Sequence, residues 1–351
     1  MGSLRVEDLK PGMRPAQDYR IGDQIVFPKG VPLTEEQVEW IQDIMRKQAA
    51  AAKKTSGLTD YRKNIVESKE FVQFEKGYEA SIDKTRVTFN QVLKADEEVD
   101  EEELLAGVDD CLKSCGGVFG NVIMMLQNMD GLDEGTYAHC VNVSLLSAML
   151  GRKLKMSEEE IRILSLGGLL HDIGKLKMPE HIIQKPTQLS AEEFTIVKRH
   201  PVEGYKLLRN KGLPEDVLMC VLQHHERCDG SGYPYGAKRE QINKYARIVA
   251  IANVFESLTS NRVYREAITP FAAMRVFEEE RYEKYELKYL LTFLEYIVQV
   301  YVGMDVMLSN GEKGKIVLAN AQDLSRPLIQ TRNGFIDLSK MPKNLTIKEI
   351  L

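Results

Sequence analysis

The sequence predicts a mainly α protein: a helical bundle, preceded by a helical or irregular N-terminal segment and followed by a small β-rich C-terminal module. Three observations carry this. From about residue 102 to 301, apolar residues recur at helical spacing with few turn clusters. From about 303, apolar and polar residues alternate around Asn-Gly pairs. All six histidines fall between 139 and 225, inside the helical stretch.

Residues 3 to about 33 contain short apolar pieces such as QIVF, punctuated by KPGM, RIGD and PKG, and predict a small β-rich or irregular lead. Thr34 and Gln37 form a capping-box pattern before Val38, Trp40 and Ile41. A second helical stretch runs from roughly 59 to 95, with Phe71, Phe74, Tyr78, Ile82 and Phe89 on one face. That stripe packs either on its own chain or on a second copy, and the first is the commoner outcome.

The acidic run from Ala95 to Leu105 reads as a solvated link or the first turn of the next helix. Ser157 with Glu160 and Ser190 with Glu193 form two further capping boxes. Thr269 followed by Pro270 marks another helix start. In the tail, DVMLSNGEKGKIVLA and RPLIQTRNGFIDL predict hairpins. The domain reading is therefore an N-terminal regulatory or dimerisation segment over 1–100, a helical domain over 101–302 and a β-rich module over 303–351.

With 47 basic and 52 acidic residues, the 351-residue chain carries a formal charge of −5. This mildly acidic balance gives no sign of a protein that binds nucleic acid polymers. The five cysteines include no C-x-x-C pair, and Cys111 and Cys115, one helical turn apart, read as packing residues. No apolar run reaches the length of a membrane span, and the start MGSLRVEDLKPGM lacks a hydrophobic signal segment. A cytoplasmic location is expected.

The histidines are the functional clue. His139 lies in YAHCVNV, and His171 with Asp172 closes the apolar stretch SLGGLLHDIGK. A carboxylate delivered by an apolar helix needs a compensating charge, which a divalent cation supplies. His200 lies in KRHPVEG; His224 and His225 follow the apolar run VLMCVLQ and precede the turn CDGSGYP. Neighbours in a regular helix point about 100° apart, so two adjacent imidazoles converge more easily where the helix loosens. Imidazoles with a carboxylate suit Fe, Mn, Ni, Zn and Co, and Asp172 has two oxygens with which to bridge two ions. Each of these residues alone would be an ordinary core or surface residue, as His181 in MPEHII is read here.

The pieces YAHCVNV, HDIGK, KPTQLSAEE, HPVEG, HHERCDGSGYP and LTSNRVYR, in that order over roughly 118–300, resemble the HD-GYP family of the HD superfamily of metal-dependent phosphohydrolases. The resemblance implies a bacterial enzyme that hydrolyses cyclic di-GMP, or a related cyclic dinucleotide, to the linear dinucleotide and then GMP. It implies a metal centre ligated by His139, His171, Asp172, His200, His224 and His225, with Asp172 also at the heart of the chemistry. Trinuclear members place a glutamate where this chain has Gly135, so two divalent ions are expected: Fe or Mn, with Ni, Zn and Co compatible. Lys175, Arg262 and Arg265 would contact phosphate, for which arginine offers paired donors. Tyr233 would stack on a guanine or anchor the loop Asp229–Pro234. GGDEF-type cyclase domains are an implied partner, and a homodimer is compatible.

One position departs from the family. Where HD proteins carry the last aspartate ligand, this chain has Asn253, whose carbonyl oxygen can ligate but brings no negative charge. Three readings follow: a tolerated ligand change in an active enzyme, a degenerate domain acting as a cyclic dinucleotide receptor or interaction module, or an engineered substitution. An HD phosphohydrolase for another nucleotide is a further alternative, against which the DGSGYP loop argues.

Overall fold

The structure, a computed structural model, describes most of residues 68–351 together with 10–13, 19–21, 24–27 and residues 31, 32, 34, 35 and 38. Within the main body, 95–97, 117–118, 128, 130–134, 184, 186, 261–266 and 280–281 lie outside the description. So do Gln37, Trp40 and Ile41 of the first expected helix.

The chain divides into two compact units, residues 64–296 and residues 1–63 with 297–351. This grouping differs from the boundaries at 100 and 302 expected from sequence. The long second helix falls with the helical unit, and the N-terminal lead falls with the tail.

The helices are α1 (Lys69–Lys94), α2 (Glu101–Ser114), α3 (Phe119–Gln127), α4 (Thr136–Lys153), α5 (Glu158–Leu170), α6 (Glu180–Ile183), α7 (Ala191–Val197), α8 (His200–Leu208), α9 (Glu215–Gln223), α10 (Lys244–Thr259), α11 (Pro270–Glu279) and α12 (Leu287–Tyr301). Their starts follow the expected chemistry. Asp100 caps α2 by accepting from the Glu103 amide at 3.0 Å, and Glu101, Glu102 and Glu103 fill its first turn. Both expected capping boxes, Ser157/Glu160 and Ser190/Glu193, are formed. Thr269 Oγ1 accepts from the Ala272 amide at the start of α11.

Phe71, Phe74, Tyr78 and Phe89 of α1 are buried within their own chain, so the stripe packs internally. Glycine sets the spacing of α1 against α2: a Cβ on Gly107 would lie 2.6 Å from the Gly77 carbonyl oxygen. Cys111 and Cys115 are buried free thiols, as packing residues should be. Helix α4 is buried nearly all round, which marks it as the central helix of the bundle. Its neighbour α5 comes close because a Cβ on Gly168 would sit 2.5 Å from Ser144 Cα. Leu145, Met149, Leu164, Leu166, Val249 and Phe293 are among the fully covered side chains, each stabilising the fold by about 1.5–3 kcal/mol. No helix among the described residues is long and apolar enough to cross a membrane.

The second unit is built on one sheet. Its strands are β1 (Tyr19–Ile21), β2 (Gln24–Phe27), β3 (Asp305–Leu308), β4 (Lys313–Leu318), β5 (Leu328–Thr331), β6 (Gly334–Asp337) and β7 (Ile347–Ile350), in the order β2-β1-β6-β5-β4-β3-β7. The expected hairpins are present. Val306 pairs with Gly314 and Gln330 with Phe335, and Gly311 and Gly334 take the positive φ their turns need. Val306, Leu308, Ile316 and Ile329 are fully buried. The lead adds to this sheet through a parallel pairing of Ile21 with Phe335, a contact between chain ends that local spacing could not reveal.

Candidate metal centre

Five histidines and one aspartate sit where helices begin or end. His139 lies in the first turn of α4. His171 caps the C-terminal end of α5, and Asp172 precedes a 3₁₀ turn, Ile173–Lys177. His200 opens α8. Helix α9 stops at Gln223, with His224 at its cap and His225 beyond it. The helix therefore ends where the adjacent pair begins, which lets both imidazoles face one region.

The six side chains form two groups that share Asp172. Asp172, His200, His224 and His225 make one group, and His139, His171 and Asp172 the other; within each, a potential ligand atom from every residue lies within 4.8 Å of the rest. Asp172 divides its oxygens between them. Oδ1 lies 3.2 Å from His200 Nε2 and 3.9 Å from His224 Nε2. Oδ2 lies 3.4 Å from His171 Nε2 and 3.5 Å from His139 Nε2.

The tautomers follow from the outer contacts. His171, His200 and His224 each use Nδ1 against a backbone carbonyl, those of Gly168, Val197 and Val221, at 2.8–2.9 Å. A carbonyl oxygen only accepts, so these nitrogens carry the protons and donate. In the neutral rings the Nε2 lone pairs then face inward. His200 Nε2 stands 3.1 Å from His224 Nε2, and His171 Nε2 3.2 Å from His139 Nε2. Lone pairs at such distances repel unless a cation lies among them. Asp172 Oδ1 makes the same point, because it is buried without a hydrogen-bond partner. The donor set fits divalent transition-metal ions.

The electrostatics agree. Burial pushes the Asp172 carboxyl up, but Lys175 and His171 outweigh it and hold the group well below the usual carboxylate range. Desolvation and the neighbouring imidazoles press His224 and His225 well below the ordinary histidine value, keeping them neutral as ligands must be. His171 departs from this pattern: desolvation acts downward, yet the Asp172 charge prevails and holds the ring up at about 10, so a proton competes with a metal ion for its Nε2.

Lys175 reaches the same carboxylate, its Nζ donating to Asp172 Oδ2 at 2.5 Å. The lysine side chain remains 26 % exposed, so it offers positive charge at the mouth of the site. Gly174 permits this tight arrangement because it has no side chain. A Cβ there would overlap the His200 carbonyl oxygen, and Gly174 is not among the positive-φ residues.

Tyr233 lies flat on His225, with ring centroids 4.5 Å apart and planes 18° from parallel. One of its faces is thereby taken by a candidate ligand. The loop around it is held by Glu226, a buried carboxylate that accepts from the Tyr235 and Ala237 amides at 2.8 and 2.9 Å. Gly230 has φ +84°, and a Cβ on Gly232 would strike the Arg227 amide nitrogen. Phe194, 44 % exposed, stands edge-on to Tyr233 at 6.3 Å. Lys198 Nζ lies over both rings.

Asn253 is buried on α10 and accepts from Ser257 Oγ at 3.4 Å. Arg262 and Arg265 lie outside the described residues. His181 is exposed. Sequence reasoning missed Glu256, which is buried and accepts from His139 Nδ1. Its signal was a carboxylate three residues after Asn253 on the same helix face. Glu226, inside HHERC, was also overlooked, as were Phe194 and Lys198.

Comparison with known proteins adds the following. Residues 123–288 match the model of the HD domain. A cyclic di-GMP phosphodiesterase of Pseudomonas aeruginosa is 34 % identical over 223 residues, 63 % of this chain and 53 % of that protein. The cyclic di-GMP phosphodiesterase response regulator RpfG of Xanthomonas campestris is 38 % identical over 184 residues, 52 % of this chain and 48 % of that one. A 3′3′-cGAMP-specific phosphodiesterase of Vibrio cholerae is 35 % identical over 161 residues, 46 % of this chain and 37 % of that one. The chain thus spans about half or less of these relatives. An HDG"Y"P protein from Bdellovibrio bacteriovorus shares the fold, with TM-score 0.51 at 19 % identity over 84 % of this chain and 98 % of that one.

Proposed function

Because residues 123–288 match the model of the HD domain, we propose that this chain is a metal-dependent phosphodiesterase of cyclic dinucleotides, with cyclic di-GMP as substrate. The observation that carries the reading is Asp172 shared between two histidine groups, with Oδ1 buried and unpaired. His139, His171 and Asp172 would hold one divalent ion, and Asp172, His200, His224 and His225 the other, with Asn253 as a neutral ligand. Fe and Mn are the first candidates for these ions, and Ni, Zn and Co suit the same donors. Such ions lower the pKa of water toward neutrality and offset charge on a phosphodiester.

The chain's own side chains supply the rest. The carbonyls behind His171, His200 and His224 fix which nitrogen each ring presents. Lys175 brings a cation to the phosphodiester at the mouth of the site. Tyr233 braces His225 from outside. Arg262 and Arg265 are assigned to the phosphates by resemblance alone. Opening of the ring to the linear dinucleotide, then cleavage to GMP, is the expected course.

The test incubates purified protein, loaded with Mn(II) or anaerobically with Fe(II), with cyclic di-GMP and with 3′3′-cGAMP, and separates the products by chromatography. Linear dinucleotide followed by mononucleotide is expected. Failure of either metal to yield linear product from either substrate would count against catalysis. Asn253 favours one second reading, a nucleotide receptor without turnover. Calorimetry would then show cyclic di-GMP binding with no product, and absence of binding by metal-loaded protein would sink it.

A further inference from the structure

Among the ligands expected from sequence, only Asp172 is anionic, because Asn253 is neutral. Two divalent cations on one carboxylate and neutral imidazoles would be poorly compensated in a buried site. One helical turn after Asn253, α10 carries Glu256, which is 4 % exposed. Its Oε2 accepts from His139 Nδ1. Its Oε1 accepts from Asn142 Nδ2 at 3.1 Å and from Ser260 Oγ at 2.9 Å. Asn142 is itself held by Tyr78 of α1, whose hydroxyl donates to Asn142 Oδ1 at 2.6 Å. The carboxylate is thus fixed at both oxygens and aimed at the back of one imidazole.

His171, His200 and His224 donate to backbone carbonyls, which are neutral. His139 instead faces the carboxyl group of Glu256. That contact turns the Nε2 lone pair of His139 inward, toward His171 and Asp172, and makes it more basic. We infer that Glu256 supplies, through His139, the negative charge that Asn253 does not bring to the metal centre. It acts as a positioning residue for the ion held by His139, His171 and Asp172. The inference rests on the metal-dependent reading above and deepens it: charge missing from the inner ring of ligands is provided one bond further out, on the same helix face.

The experiment uses the full chain and Mn(II) alone. Bound Mn(II) is counted by mass spectrometry and its affinities measured by calorimetry for the original protein, Glu256→Gln, Asn253→Asp and the double variant. Glutamine keeps the shape and an accepting oxygen but removes the charge. The expected result is weakening of one of the two sites by roughly tenfold to a hundredfold in Glu256→Gln, the other site unchanged. Asn253→Asp should bind more tightly at the weakened site and restore it in the double variant. A purely structural role for Glu256 would not be rescued by Asn253→Asp, and circular dichroism checks that each variant is folded.

Unchanged affinities in Glu256→Gln overturn the inference, as does a loss that Asn253→Asp fails to recover. If the original protein takes up no Mn(II), the metal reading fails with it. If it binds Mn(II) but cleaves no cyclic dinucleotide, the phosphodiesterase reading fails and the role of Glu256 is still decided by the affinities.

Discussion

His200 Nε2 stands 3.1 Å from His224 Nε2, while the other nitrogen of each ring donates to a carbonyl three residues earlier. Neither ring has a second proton to place between them in its neutral form. The fold therefore holds two lone pairs against each other and gains when a cation enters. We expect Mn(II) to raise the thermal midpoint, by an amount equivalent to about 2.7 kcal/mol at a free concentration a hundredfold above Kd. His224→Ala should lose most of that gain. Thermal melts with and without a chelator check it, and an unchanged response in the variant would refute the ligand assignment.

Lys175 and Asp172 form an ion pair at the edge of the site. If the lysine serves the substrate, its removal should spare the metals. Lys175→Met is expected to retain metal stoichiometry while cyclic di-GMP cleavage falls about a hundredfold. Single-turnover rates measured beside metal counts separate the two effects. Loss of metal in this variant would make the lysine structural instead.

Gly174 has no room for a side chain against the His200 carbonyl. Gly174→Ala must push the 3₁₀ turn away from α8, and with it Asp172 from His200. A destabilisation of about 1–3 kcal/mol is expected, together with weaker metal binding. Chemical denaturation gives the first and calorimetry the second. A variant as stable as the original would show that the turn yields freely.

Glu160 links the N-terminal end of α5 to α10. Its carboxyl is held down to about 2 by Lys244 and by the Ser157 amide, against an ordinary value of 4.5. A carboxyl with a lowered folded pKa stabilises fully above its unfolded value and loses that contribution as pH falls through the folded one. The difference in thermal midpoint between the original protein and Glu160→Gln should therefore be complete at pH 7 and shrink as pH drops from about 4.5 toward 2. A pH-independent difference would mean the charge is not involved.

Much of the helical architecture was legible because its signals are local. The capping boxes at Ser157 and Ser190, the start at Thr269 and the acidic first turn of α2 are each written within four residues. The same holds for the hairpin glycines Gly311 and Gly334. The ligand candidates were legible for a different reason: residue types unusual inside apolar helices recur at helix ends. Tyr233 was only half legible. Its place beside the site was expected, but its stacking on His225 depends on how the loop folds back. The need for glycine at 174 was not legible, since close approach of His200 leaves no local mark.

By itself the sequence determined the helices, their caps, the β tail and the identity of the chemistry-bearing side chains, because propensity, periodicity and capping act over a few residues. Only the tertiary structure decided how Asp172 divides its two oxygens between histidine groups, that the lead strands join the tail's sheet, and that Glu256 backs His139 from 117 residues away. Those relationships arise when packing brings distant helix ends together and buries their charges. In such a place each carboxylate must be paired, and the partner is set by proximity in space.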